Sequence, residues 1–239
     1  MKKFLVLVMV LVCSVAFAGE FELQSNLSQK QFKDLSRDLA LIVTPTPNSP
    51  AEPLKTIGFD IAVETFVADF DNSADYWQNA WDDGDPDGMA LGYRVHAQKG
   101  FPFGLDLGAS VTKGGNIPFT AFTGEVKYAI LKGTVATPAL SVKGSYSYVT
   151  GLDDMDLQTA SAGIYVSKGF LMLTPYAGLE SVMYKASEDT NAVDLDDETG
   201  QAARGLVGLQ FSPLPLISLN FEAAAGNVTT YGLKAGIRF

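Results

Sequence analysis

The final nine residues of the chain alternate between apolar side chains and side chains that are small or basic. The apolar members occupy every second position: Tyr231, Leu233, Ala235, Ile237 and Phe239. Because successive side chains of a β-strand point to opposite faces, a period of two predicts a strand with one apolar and one polar face. The chain is therefore predicted to end in an amphipathic strand.

The same alternation recurs along most of the chain. Counting the C-terminal strand, ten segments carry it, and turn signals separate them. The phase of the seventh segment is ambiguous because Pro175 lies inside it. The segments have about the nine to eleven residues that a tilted strand needs to cross a bilayer. The nine upstream segments are residues 56–70, 89–98, 103–112, 122–130, 140–148, 157–167, 171–185, 203–211 and 217–223.

The connections between segments alternate in length. Long connections follow odd-numbered segments, at residues 71–87, 151–156 and 186–200, whereas even-numbered segments end in tight turns. An up-and-down barrel has this alternation of long loops and short turns. The three long connections contain 15 of the 27 acidic residues and no basic residue. One end of the barrel is therefore predicted to be strongly acidic.

The C-terminal strand that ends on Phe239 resembles the assembly signal of bacterial outer-membrane β-barrel proteins. The resemblance implies an all-β fold, an antiparallel up-and-down transmembrane barrel of about ten strands with a short N-terminal helix. It also implies export through the periplasm to the outer membrane of a Gram-negative-type bacterium. The expected partners are the barrel-assembly machinery, outer-membrane lipid and lipopolysaccharide, and no external partner is identified.

Residues 1–18 have the pattern of a secretory signal peptide. Lys2 and Lys3 precede an apolar run that ends in small residues at the expected cleavage position. Lipoprotein processing fits less well, because Val12 occupies the place of the small residue that precedes a lipidated cysteine. Cleavage after residue 18 removes Cys13, the only cysteine, and leaves no thiol for a disulfide or a metal site.

Residues 19–54 differ in pattern from the barrel region at residues 55–239. Phe32, Leu35 and Leu39 have helical spacing, Ser28 is a suitable N-cap, and a run with four prolines follows. The sequence predicts a short amphipathic helix and a stiff linker. The helix could lie at the periplasmic rim, inside the barrel or on a partner.

The polar face of the strands is predicted to line the lumen with six acidic and six basic residues. Since a barrel of about eight strands is just filled by its own side chains, a ten-stranded lumen with balanced charges favours a largely filled interior with ion pairs. A narrow porin-like channel for ions or small solutes is the alternative. The twelve residues are Asp60, Glu64, Arg94, Asp106, Glu125, Lys127, Lys143, Glu180, Arg204, Glu222, Lys234 and Arg238.

The composition argues against two classes of function. The net charge of −10 and the scattered basic residues disfavour nucleic-acid binding, which needs a basic surface. The single histidine, His96, is predicted to face the lumen away from the acidic loops, where it has no nucleophile or acid to work with. We therefore expect no catalytic residues and a non-enzymatic surface, structural or binding role.

The first long connection carries one motif that suggests a metal. Asp83, Asp85 and Asp87 precede Gly88 and resemble the first half of an EF-hand calcium loop. The resemblance then fails, because Arg94 stands where the bidentate acid is expected. Two alternatives follow. Another loop could complete a Ca²⁺ site, and Ca²⁺ is the only cofactor that the sequence suggests. Otherwise the motif is part of a solvated acidic loop.

The same connection contains Tyr76, Trp77 and Trp81, which include both tryptophans of the chain. We predict that they are surface aromatic residues. They would either present a pair of rings to a glycan or another partner, or anchor the loop at the membrane interface.

Overall fold

The structure is a computed structural model that describes residues 21–81, 88–190 and 193–239. In these ranges α1 spans Gln29–Val43, α2 spans Asp75–Gln78, and a 3-10 helix spans Pro102–Gly104. No helix in the described part of the chain has both the length and the apolar composition to cross a membrane. The strands are β1 Phe59–Asp69, β2 Met89–Gly100, β3 Leu105–Gly114, β4 Thr120–Lys132, β5 Ala139–Thr150, β6 Met155–Ser167, β7 Leu173–Glu188, β8 Glu198–Leu214, β9 Ile217–Ala225 and β10 Thr229–Arg238.

The ten strands form one closed antiparallel barrel. Each strand pairs with its neighbours in sequence, and β1 closes the ring by pairing with β10 from Asp60↔Arg238 to Asp69↔Thr229. Closure satisfies the backbone hydrogen bonds that an open sheet would leave at its edges. The predicted fold, a ten-stranded up-and-down barrel with a short N-terminal helix, is confirmed.

The seventh strand had an ambiguous phase in the sequence. In the structure β7 pairs with β8 along Leu173↔Phe211 to Ala186↔Glu198, with Pro175 opposite Leu209. This register turns Glu180 inward, where it is 3% exposed. The two strands are also longer than their predicted segments and extend the barrel wall towards the loop that joins them.

The barrel has two unlike ends. We call the end with the connections at residues 70–88, 115–119, 151–154, 189–197 and 226–228 the loop end. The opposite end, with the turns at residues 101–104, 133–138, 168–172 and 215–216, is the turn end. β1 begins at the turn end, and the chain finishes there at Phe239. Phe59 N donates to Phe239 O at 2.8 Å.

The outer face of the barrel is apolar. Strand side chains that point outward remain exposed to the surroundings although they are large and hydrophobic, and they include Ile61, Val95, Phe122, Leu179, Val207 and Phe221. A continuous apolar belt of this kind is suited to hydrocarbon and not to water. The outward residues of β10 that formed the C-terminal sequence pattern belong to the same belt.

The N-terminal segment runs through the interior of the barrel. Phe21 forms a β-bridge with Trp81 at the loop end, and the chain reaches β1 at the turn end. We call residues 21–28 the strap and residues 29–54, which comprise α1 and the proline-rich linker, the plug. Of the three placements that the sequence left open for the helix, the structure has the one inside the barrel.

Candidate functional site

The helix of the plug lies in the loop-end half of the lumen. Its N-terminus is held by a capping box, in which Ser28 and Gln31 exchange side-chain to backbone hydrogen bonds. Phe32, Leu35 and Leu39 are fully buried. They join a hydrophobic core with inward-facing residues near the loop-end tips of the strands: Ala68, Ala90, Ala121, Val149, Leu157, Val182 and Ala202. Half of the lumen is therefore an ordinary apolar core built around a helix.

The linker of the plug lies in the turn-end half, where the lumen is charged. A proline-rich extended chain makes no regular hydrogen bonds of its own, so its backbone needs partners from the barrel wall. Arg204 supplies three, donating to the carbonyl oxygens of Leu41 and Thr44 at 3.1 Å and of Pro45 at 3.2 Å. The Arg204 guanidinium thus attaches the C-terminal end of α1 to the barrel wall.

Further along the linker, five more charged wall residues hold its backbone. Arg94 donates to Thr46 O at 3.0 Å, and Asn48 N donates to Glu222 at 2.9 Å. Near the turn end, Leu54 N donates to both carboxylate oxygens of Asp106 at 3.1 Å, and Lys127 and Arg238 both donate to Glu52 O at 3.1 Å. The linker is thus bound by charged groups along its whole length.

The twelve predicted lumen charges line this half of the interior. Eleven are buried, and Arg238, at the turn end, is half-buried. Within the described residues Glu222 has no ion pair and instead binds the linker. Ten of the residues form five buried ion pairs: Glu64–Arg94, Asp106–Lys127 at 3.1 Å, Glu125–Lys143 at 2.7 Å, Glu180–Arg204 at 2.6 Å and Asp60–Lys234 at 3.1 Å.

His96 lies between two of these pairs and hydrogen-bonds to one of them. Its Nε2 donates to Glu125 Oε1 at 2.9 Å, and its Nδ1 lies 3.7 Å from Glu64 Oε1. The imidazole is 1% exposed, so no substrate reaches it while the plug is in place. In this arrangement His96 binds the Glu125 carboxylate as a structural group.

The two walls of the lumen are not equally occupied by the plug. The helix packs against β6, β7 and β8, whereas the opposite wall has buried polar atoms without a protein partner. In the described part of the chain these atoms include Glu64 Oε1 on β1, Arg94 Nε on β2 and Thr112 Oγ1 on β3. A cavity of about 20 Å³ lies between residues 41–48 and this wall, enough for a single water molecule.

The two tryptophans that were predicted to lie at the surface are buried in the structure. Trp77 is fully buried and stacks on Phe70 with ring centroids 4.1 Å apart, and Trp81 is 5% exposed against the edge of Phe21. The prediction that both tryptophans are exposed was wrong, because Phe21 of the strap packs on Trp81 and because Trp77 stacks on Phe70 in the core that contains α1.

Tyr76 differs from Trp77 and Trp81, because it is only half-buried and its hydroxyl makes a polar contact. Its hydroxyl donates to Asp38 of α1 at 2.8 Å. Burial raises the pKa of Tyr76, and the bond to the Asp38 carboxylate raises it further. The phenol therefore stays protonated at physiological pH and remains a donor that ties the first loop to the plug.

Fluorescence tests this burial, because Trp77 and Trp81 are the only tryptophans. We expect the folded protein to show blue-shifted emission that is weakly quenched by acrylamide, by lipid-phase quenchers and by added lipopolysaccharide. Urea-unfolded protein is the control, and its emission should be quenched several-fold more by acrylamide. Strong quenching of the folded protein from the lipid phase would restore the interface-anchor interpretation.

The calcium motif at Asp83, Asp85 and Asp87 lies outside the described residues, as does the predicted signal peptide. Among the described residues no three His, Cys, Asp or Glu side chains are grouped so as to hold a metal. The motif therefore stays a prediction. Replacing all three aspartates by Asn should abolish a Ca²⁺-dependent rise in Tm, measured with Mg²⁺ as the control ion. A wild-type protein whose Tm does not respond to Ca²⁺ would reject the site.

Neither a protein-family model nor a curated protein sequence matches this chain. Solved structures of bacterial outer-membrane barrels match at the level of fold. Ail, the attachment invasion locus protein of Yersinia pestis, solved with a heparin analogue, is 16% identical with a TM-score of 0.35 over 77% of this chain and 99% of that one.

Two further matches are similarly distant. Neisserial surface protein A is 14% identical with a TM-score of 0.35 and covers 75% of this chain and 95% of its own. The KdgM porin, solved with oligogalacturonate, is 10% identical with a TM-score of 0.37, at coverages of 77% and 99%. At these identities and scores no family is assigned to the chain.

Proposed function

We propose that this chain is an integral outer-membrane barrel whose lumen is closed by its own N-terminal segment. Its role is a non-enzymatic surface or structural one. The exposed apolar belt supports insertion into a bilayer, and short turns of such barrels face the periplasm. The loop end then faces the exterior. There its exposed aspartates meet the lipopolysaccharide layer and the cations associated with it.

Assembly by the barrel-assembly machinery is part of the same proposal. The C-terminal strand β10 presents Tyr231, Ile237 and Phe239 on the outer face, each more than half exposed. Its inner face carries Lys234, which pairs with Asp60 of β1. β10 thus offers an apolar outer face for recognition before the barrel closes. Its Lys234 then forms an ion pair with Asp60 when β1 pairs with β10.

The observation that carries the proposal is the filled lumen. Ten strands spaced about 4.8 Å apart and tilted about 40° enclose a cylinder about 20 Å across between backbones. A helix with its side chains occupies about 10–12 Å of that width, and the inward side chains of the wall take the remainder. The buried linker contacts continue the closure through the charged half. We therefore expect no conductance in the resting state.

The polar atoms beside the linker that have no protein partner favour a second candidate, a narrow channel beside the plug. Polar atoms of Glu64, Arg94 and Thr112 face the plug without a protein partner, and a file of water along them would be a path for small ions. The two candidates differ in whether solute passes while the plug is seated.

Planar-bilayer conductance with a locked plug separates them. Thr44 Oγ1 of the plug lies 2.7 Å from Thr159 Oγ1 of β6, so cysteines at both positions should form a disulfide in the seated state. We expect no current from the refolded protein, reduced or oxidised, and discrete steps from a variant lacking residues 19–54. Folding of every variant is verified by heat-modifiable gel mobility.

The other outcomes identify the channel. Steps that occur under reducing conditions and vanish on oxidation would mean that the plug moves to open a pore. Steps that persist in the oxidised protein would mean that ions pass along the polar wall. Either result would overturn the closed-barrel proposal.

A further inference from the structure

The strap is fastened to the loops at the loop end. Glu22 N donates to Ala80 O at 3.2 Å, and Gln24 N donates to Asn79 O at 3.0 Å. Leu23 N donates to Asp154 Oδ2 at 2.8 Å in the loop between β5 and β6. These bonds join the strap to two different loops, so its position at this end does not depend on a single contact.

The start of α1 is fastened to a third loop. The Gln29 side chain accepts from Asp196 N at 2.9 Å, in the connection between β7 and β8, and donates to Glu198 Oε1 at 2.7 Å, at the first residue of β8. Deeper in the barrel, Lys33 O accepts from the Tyr184 hydroxyl at 3.3 Å. The chain therefore enters the lumen at the loop end as a hydrogen-bonded helix.

The same segment leaves the lumen at the opposite end. Leu54 is bound to Asp106 at the start of β3, and Gly100 N donates to Gly58 O at 3.0 Å at the turn end. β1 then returns to the loop end along the wall. The segment between Phe21 and Phe59 thus passes through the lumen from the loop end of the closed barrel to its turn end.

Burial explains why the segment stays there. Phe21, Leu23, Leu27 and Phe32 are at most 4% exposed, and the burial of large apolar side chains stabilises this position of the segment. The loop-end half of the wall provides the matching apolar surface, including Leu157, that would face water without the helix. Strap, helix and inner wall are complementary.

We infer that the chain crosses the outer membrane inside its own barrel, so that residues 22–33 form part of the outer surface of the cell. The inference rests on the proposed membrane insertion with the turn end in the periplasm. An even number of strands places both ends of the strand sequence at the periplasmic side, yet here the N-terminal segment returns through the lumen to the exterior. Its accessible side chains there include Ser25 and Lys30, whose side chain is 90% exposed.

Cysteine accessibility in intact cells tests the inference. Three variants each introduce one cysteine at an exposed position: Ser25→Cys in the strap, Asp153→Cys in a loop and Ala136→Cys in a turn. The described residues contain no native cysteine, and the wild type controls for Cys13. The probe is a polymer-linked maleimide too large for general diffusion pores, and labelling is scored as a gel shift before and after permeabilisation of the outer membrane.

We expect Ser25→Cys to be labelled in intact cells to within about twofold of Asp153→Cys, and Ala136→Cys only after permeabilisation. Labelling of Asp153→Cys with protection of Ser25→Cys would overturn the inference and leave the proposed orientation intact. Equal behaviour of Asp153→Cys and Ala136→Cys would instead reject the orientation itself. If Ser25→Cys does not accumulate as folded barrel, Lys30→Cys is read in its place with the same outcomes.

Discussion

Replacing Arg204 by Met should lower the free energy of unfolding by about 3–5 kcal/mol, because removal of one partner leaves a buried charge without compensation. Arg204 pairs with Glu180 at 2.6 Å and also donates to three carbonyl oxygens of the plug. The variant therefore loses an ion pair and the attachment of α1 to the wall together. Urea unfolding in micelles, followed by tryptophan emission, gives the value.

A double variant separates the two contributions of Arg204. In Arg204→Met with Glu180→Gln, the buried charge is gone and Ser161 can still bond the amide that replaces Glu180 Oε1, its partner at 2.7 Å. We expect this variant to recover part of the loss, while the plug carbonyls stay unbonded. A loss below about 1 kcal/mol in Arg204→Met alone would mean that the pair and the plug contacts contribute little.

Glu125→Ala should have an effect of similar size, again about 3–5 kcal/mol. Glu125 accepts hydrogen bonds from Lys143 at 2.7 Å, His96 at 2.9 Å and Gln98 at 3.2 Å. Its removal leaves three buried donors, one of them a cation, without their acceptor. The same unfolding assay measures the loss.

Two control variants bracket the Glu125 result. Glu125→Gln keeps one acceptor oxygen and should lose less than the alanine variant. Asp153→Ala removes an exposed carboxylate at the loop end and should change stability by no more than about 0.5 kcal/mol. If Glu125→Ala unfolds like Asp153→Ala, the lumen network does not stabilise the barrel.

The sequence was sufficient to predict the barrel because the alternation of apolar and polar residues is a local property of each strand. A period of two is written into each strand separately, so the number of strands and the face of each side chain can be read without knowing any contact. The alternation of Arg94, His96 and Gln98 with apolar neighbours predicted which side chains of β2 point inward, and the structure places them there. The capping of α1 by Ser28 is local in the same way.

Other features depend on groups that are far apart in sequence. Which carboxylate pairs with which cation is set by strand register, as for Glu180 and Arg204 in β7 and β8. The burial of Trp81 depends on Phe21 of the strap, and a short loop motif contains no information about a segment so far upstream.

The path of the N-terminal segment also could not be predicted from the sequence. An amphipathic helix with a proline-rich linker satisfies the same pattern at a rim, on a partner or in a lumen, since periodicity specifies a buried face but not what buries it. The choice is made by the barrel: an apolar inner wall near the loops takes the helix, and charged side chains such as Arg204 and Asp106 bond the linker backbone. The sequence by itself determined the strands and their faces through local periodicity. Only the tertiary structure, by bringing distant groups to one place, decided that the N-terminal segment lies inside the barrel.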